Sequence, residues 1–133
     1  MGINGLRKAL EGSMRTVHVS EFQGQVVAID VFGFLHRGAT GGERAMRYVR
    51  DGDTGLAVSF ALGRVSMLLR NGLKPLLVLD GGSLPAKGDT NETRRRKREE
   101  KKLRGDALYA QGDVKAAIKE YKGAVTITAE TAA

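Results

Sequence analysis

Gly24-Gln25-Val26-Val27-Ala28-Ile29-Asp30 and Pro75-Leu76-Leu77-Val78-Leu79-Asp80-Gly81-Gly82 decide the fold. Each contains four consecutive apolar residues followed by an aspartate. Continuous apolar runs of this length suit strands covered on both faces, rather than a sheet with one wet side. Pro75 is tolerated because it stands at the start of its strand. Between the runs, Val58, Leu62, Val65 and Leu69, with Ala61 and Leu68 beside them, recur at helical spacing, and Asn71-Gly72 supplies the stop. A second helical piece covers Glu43 to Arg50 and breaks at Asp51-Gly52-Asp53. Strand, helical crossover, strand is a right-handed βαβ unit, so the two strands run parallel and end on one edge. The expected class is α/β with a parallel-sheet core.

Composition divides the chain at Gly81-Gly82. Residues 1–82 form the expected α/β core, and residues 83–133 form a basic helical tail. The tail predicts two helices, the first holding the basic run and the second spanning about Asp113 to Val125. Gln111-Gly112-Asp113 is the turn, with Asp113 as N-cap, and Ala117, Ile118, Tyr121 and Val125 supply an apolar stripe. The pair has the flavour of a tetratricopeptide unit and so of a protein-interaction module. A single copy of such a repeat cannot bury its own face.

The 133 residues suit one domain of ordinary size, and 41% apolar residues allow a packed core. No cysteine is present, which excludes disulfides and thiolate metal sites. With two histidines, His18 and His36, a histidine-rich zinc site is excluded as well. No apolar run is long enough for a membrane span. The N-terminus lacks the apolar segment of a secretory signal, while Arg7, Lys8 and Arg15 leave a transit peptide open. A net charge of +7 and a pI near 10.0 point to acidic partners. Composition alone thus describes a soluble, basic, intracellular domain.

Asp30 and Asp80 stand at the carboxyl ends of the expected strands, the edge where open α/β sheets bind ligands. Two carboxylates converging there repel unless a cation or a proton lies between them, and hard divalent ions such as Mg²⁺ are held in this way. The competing reading makes Asp30 a helix N-cap and Asp80 a turn residue. The repetition of the pattern favours the metal.

The run Arg94-Arg95-Arg96-Lys97-Arg98 continues into Lys101, Lys102 and Arg104. At about 100° per residue, with Arg94 at zero, Lys87 falls at about 20°, Arg98 at about 40° and Lys101 at about 340°. Asp89, Glu92, Glu99 and Glu100 lie roughly opposite, where Arg95 and Arg96 find acids three or four residues away. From Lys87 to Arg104 there are nine basic residues and four acidic ones, so most of the net charge sits in eighteen residues. Such a stripe is an electrostatic footprint for a phosphate backbone. A nuclear localisation signal or a merely solvated helix are the alternatives. Asp89 and Glu92 fit a helix start that leaves Lys87 in the preceding loop. His36, in Phe34-Leu35-His36-Arg37-Gly38, fits either a base-stacking residue or an ordinary surface histidine.

These motifs together resemble the flap endonuclease and xeroderma-pigmentosum-group-G nuclease family. Met1-Gly2-Ile3-Asn4-Gly5-Leu6, both strand motifs, and Leu84-Pro85-Ala86-Lys87 ahead of an Arg-rich helix follow the family's order. His18-Val19-Ser20-Glu21-Phe22, Leu35-His36-Arg37-Gly38-Ala39 and Ala124-Val125-Thr126-Ile127-Thr128 point to its exonuclease 1 branch. The resemblance implies the N-terminal part of a PIN-like nuclease fold followed by a helical arch. It implies a nuclear, Mg²⁺-dependent 5′→3′ DNA exonuclease and 5′-flap endonuclease of DNA repair, acting on 5′ ends, nicks and flaps with two metals.

By the same resemblance Asp30 and Asp80 are metal ligands, and Lys87 and Arg94 engage the scissile phosphate. His36 stacks on the substrate, Gly2 packs close to the DNA, and Arg98 extends the DNA-binding face. Residues 40–57 follow the family loosely. The family continues into an internal nuclease region that supplies further acidic ligands and strands, so the resemblance implies a partner segment or repair proteins. The isolated chain is expected to be marginally stable and at best weakly active. A noncatalytic DNA-binding fragment or truncated paralogue is the alternative.

Overall fold

The computed structural model describes residues 4–79, 88–128 and 131, with residues 88–91 described in their backbone only. Gly2, Asp80 and Lys87 lie outside the described residues, as do Gly81, Gly82 and Leu84-Pro85-Ala86. A short helix α1 (Leu6–Ala9) and two 3₁₀ turns, Glu11–Ser13 and Val19–Phe22, precede strand β1 (Val26–Asp30). Helices α2 (Val31–Ala39), α3 (Arg44–Arg50) and α4 (Gly55–Arg70) lead to strand β2 (Lys74–Val78). Two further helices, α5 (Gly88–Ala110) and α6 (Val114–Ala124), follow.

The strands pair in parallel, with Val26 opposite Lys74 and Asp30 opposite Val78, so both carboxyl ends share an edge. The expected α/β class and βαβ crossover are therefore present. The second strand begins two residues earlier than its apolar run, at Lys74, and holds Pro75 opposite Val27. Gly72 sets this pairing. Its φ of +76° ends α4, and its carbonyl accepts from the Gly24 N–H at 2.8 Å. A Cβ at this position would stand 2.8 Å from Cγ of Gln23, so conformation and space both require glycine.

Two apolar clusters support the sheet. Ile29, Leu68 and Leu73 join Val27, Val65 and Phe34 beneath the strands. The larger cluster combines Leu35, Ala39, Ala45, Ala57 and Ala61 with Ala117, Tyr121 and Val125. Residues from both sides of Gly81-Gly82 thus share one core. Coverage of both sheet faces, expected from the continuous apolar runs, is not found among the described residues. Val26 is 67% exposed, Leu76 56% and Leu77 52%. A single crossover places its helices on one side, which leaves Val26 and Leu76 open on the other, while Leu77, on the same side as Ile29, is only partly covered there.

The sequence reading implies α2 only through the N-cap alternative for Asp30, since Gly33, Gly38 and β-branched Val31 all weaken helix propensity. Packing compensates for that weakness. A Cβ at Gly38 would lie 2.9 Å from Cα and the carbonyl oxygen of Ala57 and from Cβ of Phe60, so α2 and α4 meet almost backbone to backbone. Gly38→Ala is expected to destabilise the chain by about 1–3 kcal/mol, as overpacking against backbone does. Gly63→Ala, on the open side of α4 with nothing within 4 Å, is expected to stabilise it by about 0.5–1 kcal/mol through helix propensity. Urea unfolding midpoints of the two variants check both signs.

Candidate functional site

Asp30 ends β1 and begins α2. Its Oδ1 accepts the Gly33 N–H at 3.0 Å, capping the helix. A Cβ at Gly33 would stand 3.2 Å from Oδ2, so this glycine leaves room for the carboxylate to lie over the first turn. The N-cap reading of Asp30 is therefore realised, on an exposed residue at the carboxyl edge of the sheet whose second oxygen, Oδ2, takes no part in the cap. A single hard oxygen donor at that edge suits a divalent cation as one ligand among several. Among the described residues no group of three His, Cys, Asp or Glu side chains gathers to hold a metal.

The basic helix α5 spans 23 residues, about 35 Å at the usual helical rise. It runs antiparallel to the shorter α6, whose first turn is capped by Asp113 through the Ala116 N–H at 3.0 Å, as expected. Cross-links define the register. The guanidinium of Arg104 lies 3.2 Å from the Glu120 carboxylate, and the Tyr121 ring lies over Gly105, where a Cβ would meet it at 2.8 Å. Lys101 occupies the space above Gly123. The N-terminal half of α5 thus extends past the end of α6.

Arg94, Arg98 and Lys101 share their angular position with Gly105, Leu108 and Tyr109, the residues that pack on α6 and α3. All three cations are half-buried. The basic stripe is therefore the continuation of the packing face, turned to the same side as α6. Arg98 lines a shallow hollow with Lys102, Ala124 and Thr126. On the outer side the expected ion pairs form, Arg95 with Glu92 at 2.7 Å and Arg96 with Glu100 at 3.9 Å. The hydrogen bond from Arg95 holds the Glu92 carboxyl below its usual range.

Two contacts anchor the base of α5. The Arg50 guanidinium stacks 4.0 Å from the centre of the Tyr109 ring, and the Tyr121 hydroxyl donates to Asp106 at 2.7 Å. Burial, and then that hydrogen bond, push the Tyr121 hydroxyl up to about 12.

His36 is exposed on α2 and lines an open groove of about 720 Å³ together with Arg37, Arg44 and Arg64. The sequence reading singled out His36 and passed over the three arginines. Arg37 and Arg44 flank the turn after α2, and Arg64 reaches the same place only because Gly38 brings α4 against α2. No local spacing signals that juxtaposition.

Two outcomes follow from this geometry. Asp30→Ala removes the cap and is expected to cost about 0.5–2 kcal/mol, while Asp30→Asn retains an acceptor and stays within a few tenths; thermal melts distinguish them. Tyr121 is favoured in its neutral form by the fold, so its contribution is complete below its unfolded pKa near 10 and is lost as pH rises to about 12. Tyr121→Phe is expected to lower stability by about 1–3 kcal/mol at neutral pH. It is also expected to flatten the alkaline decline, read from urea midpoints between pH 9 and 12.

Comparison with known proteins places these residues in context. The XPG N-terminal domain family matches residues 1–101. Exonuclease 1 of Oryza sativa is 39% identical over 129 residues, covering 96% of this chain and 15% of the rice protein. Exonuclease 1 of Xenopus laevis is 36% identical over 99% of this chain and 18% of its own length. Exodeoxyribonuclease 1 of Schizosaccharomyces pombe is 33% identical over 99% of this chain and 23% of its own length. The chain spans less than a quarter of each of these three relatives. Matched over three quarters of its residues, with the edge aspartate on β1 inside the match, the chain belongs to the XPG N-terminal domain family.

Proposed function

We propose that this chain is the N-terminal part of a Mg²⁺-dependent, nuclear 5′→3′ DNA exonuclease and 5′-flap endonuclease of DNA repair. The observation that supports it most is the placement of Asp30, an exposed residue at the carboxyl edge of a parallel strand pair with one carboxylate oxygen outside the cap. The similarity to exonuclease 1 proteins over nearly the whole chain supports the reaction class. The open apolar face of β2 supports a working unit that includes further polypeptide.

In this reading Asp30 and Asp80 hold metal, together with carboxylates from that further polypeptide. Divalent ions held there would supply water activation and charge stabilisation for an in-line phosphodiester displacement. The chain's own part is positional and electrostatic. Asp30 keeps its carboxylate fixed by capping α2, so its orientation is set before substrate arrives. Arg94 and Arg98 present positive charge on the inward face of α5 for the phosphate, and Lys87, which precedes that helix in sequence, takes the same role by the family resemblance; such charge offsets what develops in the transition state. His36 offers a ring at the groove beside α2 for stacking.

A second reading is a piece that holds DNA without cutting it, favoured by the absence of a three-residue ligand cluster among the described residues. A 5′-flapped, nicked duplex separates the two, with cleavage and binding followed in Mg²⁺ and in EDTA. Catalysis predicts metal-dependent product that falls by about 10²-fold or more in Asp30→Asn, a variant that keeps the cap and the fold. Equal binding with no product in either protein establishes the second reading.

A further inference from the structure

Helix α5 is held near its C-terminal end, while its basic stripe occupies the other. Arg94 and Tyr109 are fifteen residues apart on this helix, about 22 Å at the usual helical rise. Its neighbour α6 reaches back only to Lys101, which lies over Gly123 near the end of that helix. A tilt of about 10° at the base therefore moves Arg94 by about 4 Å, more than a hydrogen bond tolerates. The direction of α5 relative to the core decides where its cations stand.

Contacts inside the hairpin of α5 and α6 do not set that direction. Arg104 with Glu120 and Tyr121 with Asp106 join the two helices to each other, so they move with the pair as a unit. Leu108 and Tyr109 pack on the larger apolar cluster, but hydrophobic burial is non-directional and fixes no angle. A planar cation stacked on a ring does fix one. Arg50, the last residue of α3, stacks its guanidinium 4.0 Å from the centre of the Tyr109 ring. Asp51 lies 3.8 Å from Nε of Arg50 and steadies it.

A second link starts on the same helix. The Tyr48 hydroxyl donates to the Thr126 carbonyl at 3.0 Å, and Thr126 lines the hollow beside Arg95 and Arg98. Helix α3 thus holds the hairpin at two places, at the base of α5 and beside the stripe. It is itself seated by the fully buried Ala45, with Met46 and Val49 on the larger cluster.

We propose that Arg50 is a positioning residue, which clamps Tyr109 from α3 and so aims the Arg94 and Arg98 cations of α5. The clamp rests on the contacts with α3. That the aimed charges meet a phosphate backbone rests on the nucleic-acid reading above.

The chain has no cysteine, so a pair of spin labels can be placed without background. Labels at Lys97→Cys on α5 and Arg70→Cys at the end of α4, both exposed, report one distance by pulsed electron paramagnetic resonance. Arg50→Gln and Tyr109→Leu are expected to shift or widen the distance distribution by about 3 Å, the lever displacement at Lys97 for the same tilt. Tyr109→Phe keeps the ring face and is expected to keep the distribution. Arg50 is exposed, so Arg50→Gln is expected to melt with the unmodified chain. An unchanged distribution in Arg50→Gln overturns the clamp.

Binding of the nicked, 5′-flapped duplex across a salt series then tests the aim. Tyr109→Leu removes no charge, yet it is expected to lower the slope of log affinity against log salt by about 1–2. Arg94 and Arg98 each contribute about 0.9 to that slope where they meet a duplex phosphate. A role in packing alone leaves the slope unchanged. A shifted distance with an unchanged slope retains the clamp and overturns the phosphate reading of α5. If the unmodified chain binds no DNA at low salt, the nucleic-acid reading fails, and the distance measurement alone decides the clamp.

Discussion

The contact between Gly38 and the backbone of Ala57 determines more of this structure than any strand pairing. It allows α2 to lie on α4 at a distance that no other residue permits, and the Leu35, Ala39, Ala57 and Ala61 cluster forms around it. The same approach sets the start of α2 over β1, and hence the place of Asp30. It also aligns the two walls of the arginine groove. Small residues at helix interfaces contribute little area to the hydrophobic term, but they allow close-packed contact along the whole interface, which dispersion rewards atom by atom.

That kind of interface explains what was legible in the sequence. The strands and α4 were visible because Val26 to Ile29, Leu76 to Leu79 and the Val58–Leu69 series announce themselves by bulk apolar periodicity. Helix α6 and its cap were visible for the same reason, joined to a local turn signal at Gly112-Asp113. Helix α2 was implied only by the N-cap alternative at Asp30, because the residues that make it pack are glycine and alanine, which a count of apolar residues scarcely registers. The expectation of two covered sheet faces failed at a different level. Apolar runs report what a strand requires, and the exposed Val26 and Leu76 show a requirement that the helices of one crossover, lying on the other side, do not meet.

For α5 the sequence showed the angular segregation of charge but not its direction. Counting angles from Arg94 separates bases from acids correctly, and the Arg95–Glu92 and Arg96–Glu100 pairs form where that count puts them. The wheel alone does not tell a solvent face from a packing face when both are polar. Direction came from residues further along the helix. Gly105, Leu108 and Tyr109 lie against α6 and α3, and they rotate Arg94, Arg98 and Lys101 to the same side. The buried Tyr121 hydroxyl, tied to Asp106, then fixes that rotation at the base of the helix.

The distribution of pairing decides where the chain's positive charge acts on a partner. A guanidinium next to a carboxylate presents a dipole, whose field decays faster with distance than that of a bare charge, and salt screens what remains within about 10 Å. Much of the outer face of α5 is neutralised in this way, although that helix holds the longest run of basic residues in the chain. Arg37, Arg44 and Arg64 contribute three charges that no acid offsets among the described residues, set in a concave surface where low-dielectric walls strengthen their field. Positive charge on this molecule is therefore presented in two regions of different origin, one built by sequence-local charge density and one by the packing of helices distant in sequence. The second is the less visible in composition, and it depends directly on the Gly38 contact.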